Sequence, residues 1–375
     1  MATQLTIIAY RMSDRIQSLE KRYGVALSSL VIALVLFVFA LILVTPNVSI
    51  HPNSLGSDYQ QLAEHPLAFS ENSRVQYRIL TPLLANVLHL RGAMYAYFPL
   101  LVAVLFIAGV YWHFRTSASP LFSVAVAGMV ALNAPVLNSF AFVGFPDTLA
   151  YLLFFACLIS NNLALQCAAF GLALFNHDNA LFALPFLVYR PWTNEPVRKT
   201  AMRLVLFLVA FVPVILYRKY VDSHMTTAFT PGFYLNKESI ADNLKCVARY
   251  APLGIFETFR LFWFVIPVAL YMQVRSRRWG DVAWLVLVVL LPFLQLVLAQ
   301  DTSRFFAMAF PAILYSAKLL HTHYGDLVSR KMLWLLLAAN LWVPVYFVWE
   351  RHVDFNLPGP IFLLLKLIGI DGWKL

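Results

Sequence analysis

The sequence VALSSLVIALVLFVFALILVT, Val25–Thr45, contains no charged side chain in 21 residues. A helix of about 20 apolar residues is long enough to cross the hydrocarbon core of a bilayer. The run is longer than the apolar core of a signal peptide, and no small-residue cleavage motif follows it. We therefore expect an uncleaved first membrane span.

Apolar runs continue along the rest of the chain, at 93–114, 120–143, 148–160, 163–175, 180–189, 201–217, 251–274, 282–299, 305–320, 332–349 and 357–370. The three between 148 and 189 are too short for straight spans, which predicts broken helices that line a cavity inside the protein. The pattern predicts an all-α fold, a polytopic transmembrane helical bundle with about 10–12 membrane segments, short and broken ones included. We expect one integral membrane domain over 1–375.

The composition excludes most soluble classes of protein. Hydrophobic residues make up 61% of the chain and charged residues 12%, against about 25% charged residues in soluble domains. The net charge of +10 is explained by basic cytoplasmic loops, so we expect membrane lipids as partners and no nucleic acid. The soluble catalytic motifs CxxC, HExxH, GxGxxG and the phosphate-binding P-loop are absent from the sequence.

The distribution of Lys and Arg predicts the orientation. It favours a cytoplasmic N-terminal tail over 1–24, a long first outer loop over 46–92 and a second large outer loop over 218–250. The segment 79–90 within the first loop predicts a helix lying at the interface. This topology requires 163–175 and 180–189 to be separate half-length helices. The compact loops favour a bacterial inner (plasma) membrane.

Acidic residues gather at the predicted outer helix ends: Asp58, Asp147, Asp178 beside His177, and Asp301. A helix bundle can bring such ends around one cavity. The alternative is structural, because Asp147 and Asp301 precede helices and could serve as N-caps, while Asp178 could terminate a half helix. Asp58 lies in a loop with no obvious capping task.

Charged pairs and arginines on the same side suggest an anionic ligand. Glu257 and Arg260 are three residues apart and share a helix face. A charged pair within a bilayer indicates either a functional site or a structural ion pair that holds helices together. Arg78 and Arg304 could bind phosphate through guanidinium forks or act as interfacial anchors.

Several short motifs together resemble the GT-C class of polytopic membrane glycosyltransferases, in particular compact bacterial members. They are Gly56-Ser57-Asp58-Tyr59 with Glu64 after it, Tyr77-Arg78, Phe145-Pro146-Asp147, Asn176-His177-Asp178 and Asp301-Thr302-Ser303-Arg304. In that class an acidic residue of the first outer loop acts as general base or holds a metal ion. The resemblance covers most of the chain as architecture.

The resemblance implies transfer of a sugar from a polyprenyl-phosphate-linked donor to a lipid or glycan acceptor at the extracytoplasmic face. The implied catalytic residues are Asp58, as general base, and Asp147. Arg78, Arg260 and Arg304 would bind the donor phosphate, with supporting roles for Tyr59, Glu64, His177, Asp178, Glu257 and Asp301. A single carboxylate base suits an inverting displacement. A divalent cation is compatible with the class, but no metal ligands are assigned.

Two other functions fit a polytopic chain with large outer loops. A polysaccharide polymerase of the O-antigen type would depend more on 218–250 than on Asp58. A transporter or lipid flippase would depend on Glu257 and Arg260 and would move substrate without sugar transfer. Transporters usually place ionisable groups near the membrane midplane, whereas most acidic residues here lie at helix ends.

Overall fold

The first helix confirms the predicted first span. In the computed structural model, which describes residues 2–44, 50–52, 54–69, 73–191, 195–225, 237–296, 301–349, 352–357 and 359–368, α1 covers Ala2–Val44. Its backbone breaks at Gly24, where φ is 80°, a conformation that glycine adopts without a steric penalty. The break separates the polar N-terminal tail from the apolar run that begins at Val25.

The remaining elements are almost all helices. They are α2 (Leu55–Glu64), α3 (Ser73–Gln76), α4 (Leu80–Val87), α5 (Tyr97–Arg115), α6 (Pro120–Ala131), α7 (Ala134–Ala141), α8 (Asp147–Ile159), α9 (Leu163–Asn176), α10 (Ala180–Val188), α11 (Val197–His224), α12 (Lys237–Phe259), α13 (Val265–Arg275), α14 (Trp279–Leu296), α15 (Thr302–Ala307), α16 (Phe310–Asn340), β1 (Val345–Trp349), β2 (His352–Asn356) and α17 (Gly359–Leu367). Short 3₁₀ turns, Gly92–Ala96 and Arg260–Phe264, precede α5 and α13.

Six helical segments of the described chain are long and apolar enough to cross a membrane: Arg11–Ile42, Gly92–Arg115, Val197–His224, Val247–Arg275, Trp279–Leu296 and Thr302–Asn340. The pair α6 and α7, bent by 41°, makes a seventh if it forms one broken span. The shorter apolar helices α8 and α9 pack among them. The prediction of a polytopic transmembrane helical bundle with short and broken helices is confirmed, and the chain is an integral membrane protein.

The segment 163–189 forms two helices, as the predicted topology requires. α9 ends at Asn176, His177 is extended with φ −158° and ψ 136°, and α10 begins at Ala180. The Asn162 side chain caps α9 by accepting hydrogen bonds from the backbone N–H groups of Ala164 and Leu165. The polar turn between the helices is therefore a fixed feature of the fold.

Three regions differ in detail from the sequence expectation. The run 332–349 is not one helix, because α16 ends at Asn340 and an antiparallel hairpin of β1 and β2 follows. Pro344 explains the change, since proline disfavours helical backbone at the residue before it. The ranges 46–92 and 218–250 were expected as outer loops, yet their described parts are largely helical. α4 forms within the predicted interfacial helix 79–90, while its position at the interface stays a prediction.

Two glycines bring the first loop onto the bundle. A Cβ on Gly56 would clash with the backbone carbonyl oxygen of Val143, and Gly144 adopts φ +87° directly against Gly56. Only glycine permits this close approach and this backbone conformation. α2 therefore lies on the turn that leads into α8, which places Asp58 and Tyr59 beside the start of that helix.

Candidate functional site

Charged and polar side chains from distant parts of the sequence meet where α2, α8, α15 and the turn between α9 and α10 come together. We name this group the arginine–aspartate network. Its members are Tyr59, Arg78, Asp147, His177, Asp178, Arg218, Asp301 and Arg304. Most of the residues that sequence analysis selected lie in this network, while their position on the outer side stays a prediction.

Arg304 is the buried centre of one half of the network. Its Nε and Nη2 lie 2.9 and 2.8 Å from Asp147 Oδ2, and its Nη1 lies 2.6 Å from Asp301 Oδ2. The guanidinium also lies over the ring of Phe145, 4.4 Å from its centroid. Charge-assisted hydrogen bonds of this geometry are among the strongest in proteins. Arg304 thus holds α8 and α15 together.

The two aspartates around Arg304 do not act as plain N-caps. Asp301 precedes α15 but makes no side-chain capping hydrogen bond, and Asp147 is the first residue of α8, after Pro146. A carboxylate in the first turn of a helix is favoured by the helix dipole. The carboxylates of both residues are nevertheless directed to Arg304.

His177 connects this half of the network to the other. Its Nδ1 accepts a hydrogen bond from the backbone N–H of Asn179, and its Nε2 lies 3.5 Å from Asp147 Oδ1. Burial, reinforced by the charge of Arg78, lowers the pKa of the imidazole to about 3. The ring is therefore neutral near pH 7, and its Nε2–H faces the Asp147 carboxylate.

The turn that carries His177 is fixed by a buried asparagine. Asn176 donates from Nδ2 to the backbone carbonyl of Pro146 at 2.7 Å, and its Oδ1 accepts from the Thr81 hydroxyl at 2.5 Å. These bonds join the turn to α4 and to the residue before α8. Sequence analysis quoted Asn176 only as part of a motif and did not select it as a site residue.

The second half of the network is more exposed and centres on Asp178. Arg78 binds Asp178 Oδ2 through Nε at 3.1 Å and Nη2 at 3.0 Å, while Arg218 binds Oδ1. Partial desolvation by the surrounding protein opposes ionisation of Asp178, but the two guanidinium groups outweigh it and hold the pKa of the carboxyl well below its usual range. Asp178 thus stays ionised between two arginines.

Tyr59 joins the first-loop helix to the network. Arg78 Nη1 donates to its hydroxyl oxygen at 3.1 Å, and burial raises the pKa of this phenol. Asp58 precedes it on α2 and has a partly exposed side chain. Glu64 is exposed on the last turn of the same helix and approaches Gly92.

Glu257 and Arg260 form a separate buried pair. Arg260 Nη1 donates to the carbonyls of Asn340 and Val343, and its Nη2 donates to that of Leu132. Its Nε lies 3.7 Å from Glu257 Oε1. In the part of the chain that the structure describes, these contacts join helix ends and include no member of the arginine–aspartate network. Among the contacts described for Arg260 none reaches Arg78 or Arg304, and its role in donor binding stays a prediction.

Sequence reasoning missed two residues of this region. Arg218 was counted only as a basic residue of an outer loop, although it lies on α11 and binds Asp178. The Tyr151 hydroxyl donates to the backbone carbonyl of Arg304 at 2.9 Å. No local pattern reveals either contact, because the partners are 40 and 153 residues apart in sequence.

The residues of the arginine–aspartate network do not fit a divalent cation. Within the described ranges no group of three or more His, Cys, Asp or Glu side chains could hold a metal ion. The carboxylates of Asp147, Asp178 and Asp301 are each bound by arginine, and His177 Nδ1 already accepts a hydrogen bond. Cationic guanidinium groups thus lie next to carboxylates where a metal ion would need free ligands.

Comparisons with known proteins give a structural neighbour and no sequence relative. No protein-family model matches the chain, and no curated protein matches it at the significance threshold. A structure search matches the Archaeoglobus fulgidus oligosaccharyltransferase, solved with a tethered acceptor peptide containing the NVT sequon, at TM-score 0.50 and 13% identity. The match covers 86% of this chain and 54% of the oligosaccharyltransferase, so this chain corresponds to about half of that protein. The fold is GT-C-like.

Proposed function

We propose that this protein is a membrane glycosyltransferase that transfers a sugar from a polyprenyl-phosphate-linked donor to an acceptor at the extracytoplasmic face. The observation that carries the proposal is the arginine–aspartate network beside the first-loop helix α2 on a GT-C-like fold. Lipids and glycans are the acceptors we favour. The neighbour's acceptor is a peptide, so a peptide acceptor is also worth testing.

Asp58 is proposed as the general base. The acceptor hydroxyl oxygen bonds to the anomeric carbon of the sugar while the bond from that carbon to the donor phosphate breaks. The hydroxyl proton moves to the Asp58 carboxylate, and the phosphate leaves with the lipid. The partly exposed position of Asp58 next to Tyr59 supports this role. Attack opposite the leaving phosphate inverts the anomeric centre.

Arg78 is proposed to bind the leaving phosphate, together with Arg218. Both guanidinium groups are partly accessible and lie on either side of Asp178. Sequence analysis gave the same role to Arg260 and Arg304. Because the guanidinium of each is already held by carbonyls or carboxylates, we assign Arg304 and Asp147 to positioning the site and Arg260 to the scaffold. Cationic groups near the phosphate stabilise the charge that develops on it.

Transfer of radiolabelled sugar from synthetic polyprenyl-phosphate donors, with purified protein in lipid nanodiscs, tests the proposal. We expect Asp58→Asn to lower kcat by about 100-fold or more, the usual contribution of a positioned base. The matched control is Asp14→Asn, the same substitution at an exposed position of the N-terminal part of α1.

Each result has a defined meaning. Full activity of the Asp58→Asn variant would show that another residue acts as the general base. Absence of transfer by folded wild-type protein, across a panel of sugars with lipid, glycan and peptide acceptors, would overturn the glycosyltransferase assignment. Movement of the same donors across the bilayer would then favour the transporter alternative.

A further inference from the structure

The N-terminal part of α1 carries three arginines on one face, and the proposed sugar transfer uses none of them. Arg11, Arg15 and Arg22 follow one another by four and seven residues, a spacing that places them in one row along an α-helix. We name this row the arginine stripe. All three residues are exposed, and within the described ranges of the chain none of them makes an ion pair.

An exposed apolar stripe runs beside the arginine stripe. Met12, Leu19 and Tyr23 follow one another by seven and four residues and are 39%, 38% and 49% exposed. Successive residues of an α-helix are about 100° apart around its axis, so the two stripes are neighbours. The Arg22 guanidinium lies 5.1 Å from the centre of the Tyr23 ring, which joins them. Basic and apolar rows side by side are typical of a helix that lies at a membrane surface.

The protein holds the next side of this helix through Glu20. Arg115, at the end of α5, donates from Nε and Nη2 to the two Glu20 carboxylate oxygens at 2.8 and 2.9 Å. The Tyr111 hydroxyl donates to the same carboxylate at 2.8 Å, and Ile16 packs partly buried against the helical core. These contacts fix the rotation of the helix about its axis. The apolar stripe lies between the Glu20 side and the arginine stripe, so its direction is fixed as well.

The charge balance of this part of α1 leaves the arginine stripe positive. Glu20 is paired with Arg115, and residues 2–10 contain no charged side chain. Asp14 and Lys21 are of opposite sign and lie on the side of the arginine stripe that faces away from the apolar stripe. The positive-inside bias explains why a tail is basic, but it does not explain why the arginines lie in one row beside exposed apolar side chains.

We propose that residues 11–23 lie along the membrane surface, with the apolar stripe at the boundary of headgroups and acyl chains and the arginine stripe on the phosphate groups of anionic lipids. The backbone break at Gly24, where φ is 80°, allows this direction to differ from that of the span that begins at Val25. Apolar burial and attraction to anionic headgroups together set the strength of such binding. The site does not depend on the proposed glycosyltransferase activity.

Hydrogen exchange of the full chain in lipid nanodiscs, followed by mass spectrometry, tests the site. The two probes are nanodiscs of phosphatidylcholine alone and nanodiscs of phosphatidylcholine with added phosphatidylglycerol. We expect the amides of residues 11–23 to exchange more slowly with phosphatidylglycerol, by about tenfold or more, and high salt should reduce this difference. Arg15→Gln should lower the difference about fivefold, the effect of one basic residue near an anionic surface. Lys21→Gln, which removes an exposed charge on the other side of the arginine stripe, is the matched control and should leave the difference unchanged.

Further variants separate lipid binding from folding. Replacing all three arginines by glutamine should abolish the difference between the two lipids, while the amides of α6 exchange as in wild type. Leu19→Gln should speed exchange of residues 11–23 with both lipids, because it removes an apolar contact with the membrane. Equal exchange with the two lipids, an equal effect of Arg15→Gln and Lys21→Gln, or an unchanged rate in Leu19→Gln would overturn the proposal. Rapid exchange with both lipids would also overturn it and would leave the apolar stripe as a surface for a protein partner.

Discussion

Two buried arginines of this protein, Arg304 and Arg260, look alike in the sequence but differ in what they bind. Each lies three residues from an acidic residue and is 4% exposed. Arg304 binds two carboxylates at 2.6 to 2.9 Å. Arg260 binds backbone carbonyls at helix ends, and its carboxylate partner lies 3.7 Å away.

The difference shows that burial and spacing alone do not distinguish a site from a scaffold. Carbonyls at the C-terminal ends of helices carry partial negative charge, so Arg260 is stabilised largely by the ends of α6 and α16. The charge of Arg304 is balanced instead by carboxylate side chains, which can titrate or change their hydrogen-bond partners.

Arg304→Gln should have the largest effect on stability. It leaves the buried Asp147 carboxylate without its cation, and breaking a buried ion pair costs about 3–5 kcal/mol. Chemical unfolding in detergent micelles measures the loss. A free energy of unfolding within about 1 kcal/mol of wild type would show that Asp147 does not need this arginine.

Lowering the pH should destabilise the arginine–aspartate network through His177. The unfolded imidazole titrates near 6.5, whereas the folded one has a pKa of about 3, so the unfolded state binds more protons between these values. The free energy of unfolding should therefore fall by about 2 kcal/mol from pH 6.5 to 4.5. His177→Gln should flatten this part of the unfolding profile, and an unchanged slope would contradict the assignment.

Glu257→Gln should change stability by no more than about 1 kcal/mol. The pair is long, the Oε2 atom of Glu257 is buried without a hydrogen-bond partner within the described chain, and Arg260 keeps its carbonyl acceptors. The same unfolding experiment compares this variant with Arg304→Gln. Equal losses would remove the distinction between the two arginines.

Asp178→Asn should have the smallest effect and act on substrate binding. If Arg78 and Arg218 bind the donor phosphate, neutralising the carboxylate between them frees positive charge for it. We expect KM for the donor to fall severalfold, which corresponds to about 1 kcal/mol. Steady-state transfer kinetics provide the measurement. A large loss of kcat with unchanged KM would instead place Asp178 in the chemical step.

The fold follows from the sequence more closely than the site does. Run length alone predicts the first span and the short helices α8 and α9, because bilayer thickness sets how long a span must be. The hairpin after Asn340 was missed because its residues are as apolar as those of a span. Within this run, Pro344 was the residue that could have indicated the end of the helix.

The site was predicted as a set of residues rather than as a set of contacts. Their position at helix ends predicted that Asp147, His177 and Asp301 lie near one another, because polar side chains at the ends of apolar helices avoid the lipid and face each other. Partner choice depends on packing between helices far apart in sequence. The pairing of Arg218 with Asp178 and the isolation of Arg260 therefore could not be predicted from local pattern.

The pairing of Asp147 with Arg304 also sets an order of assembly during synthesis. The two residues are 157 positions apart, so at translation rates of about 5–20 residues per second Arg304 is made about 8–30 s after Asp147. During that interval the nascent α8 carries a carboxylate whose arginine does not yet exist. We expect the start of α8 to stay near water until α15 is made, so the network closes late in biogenesis.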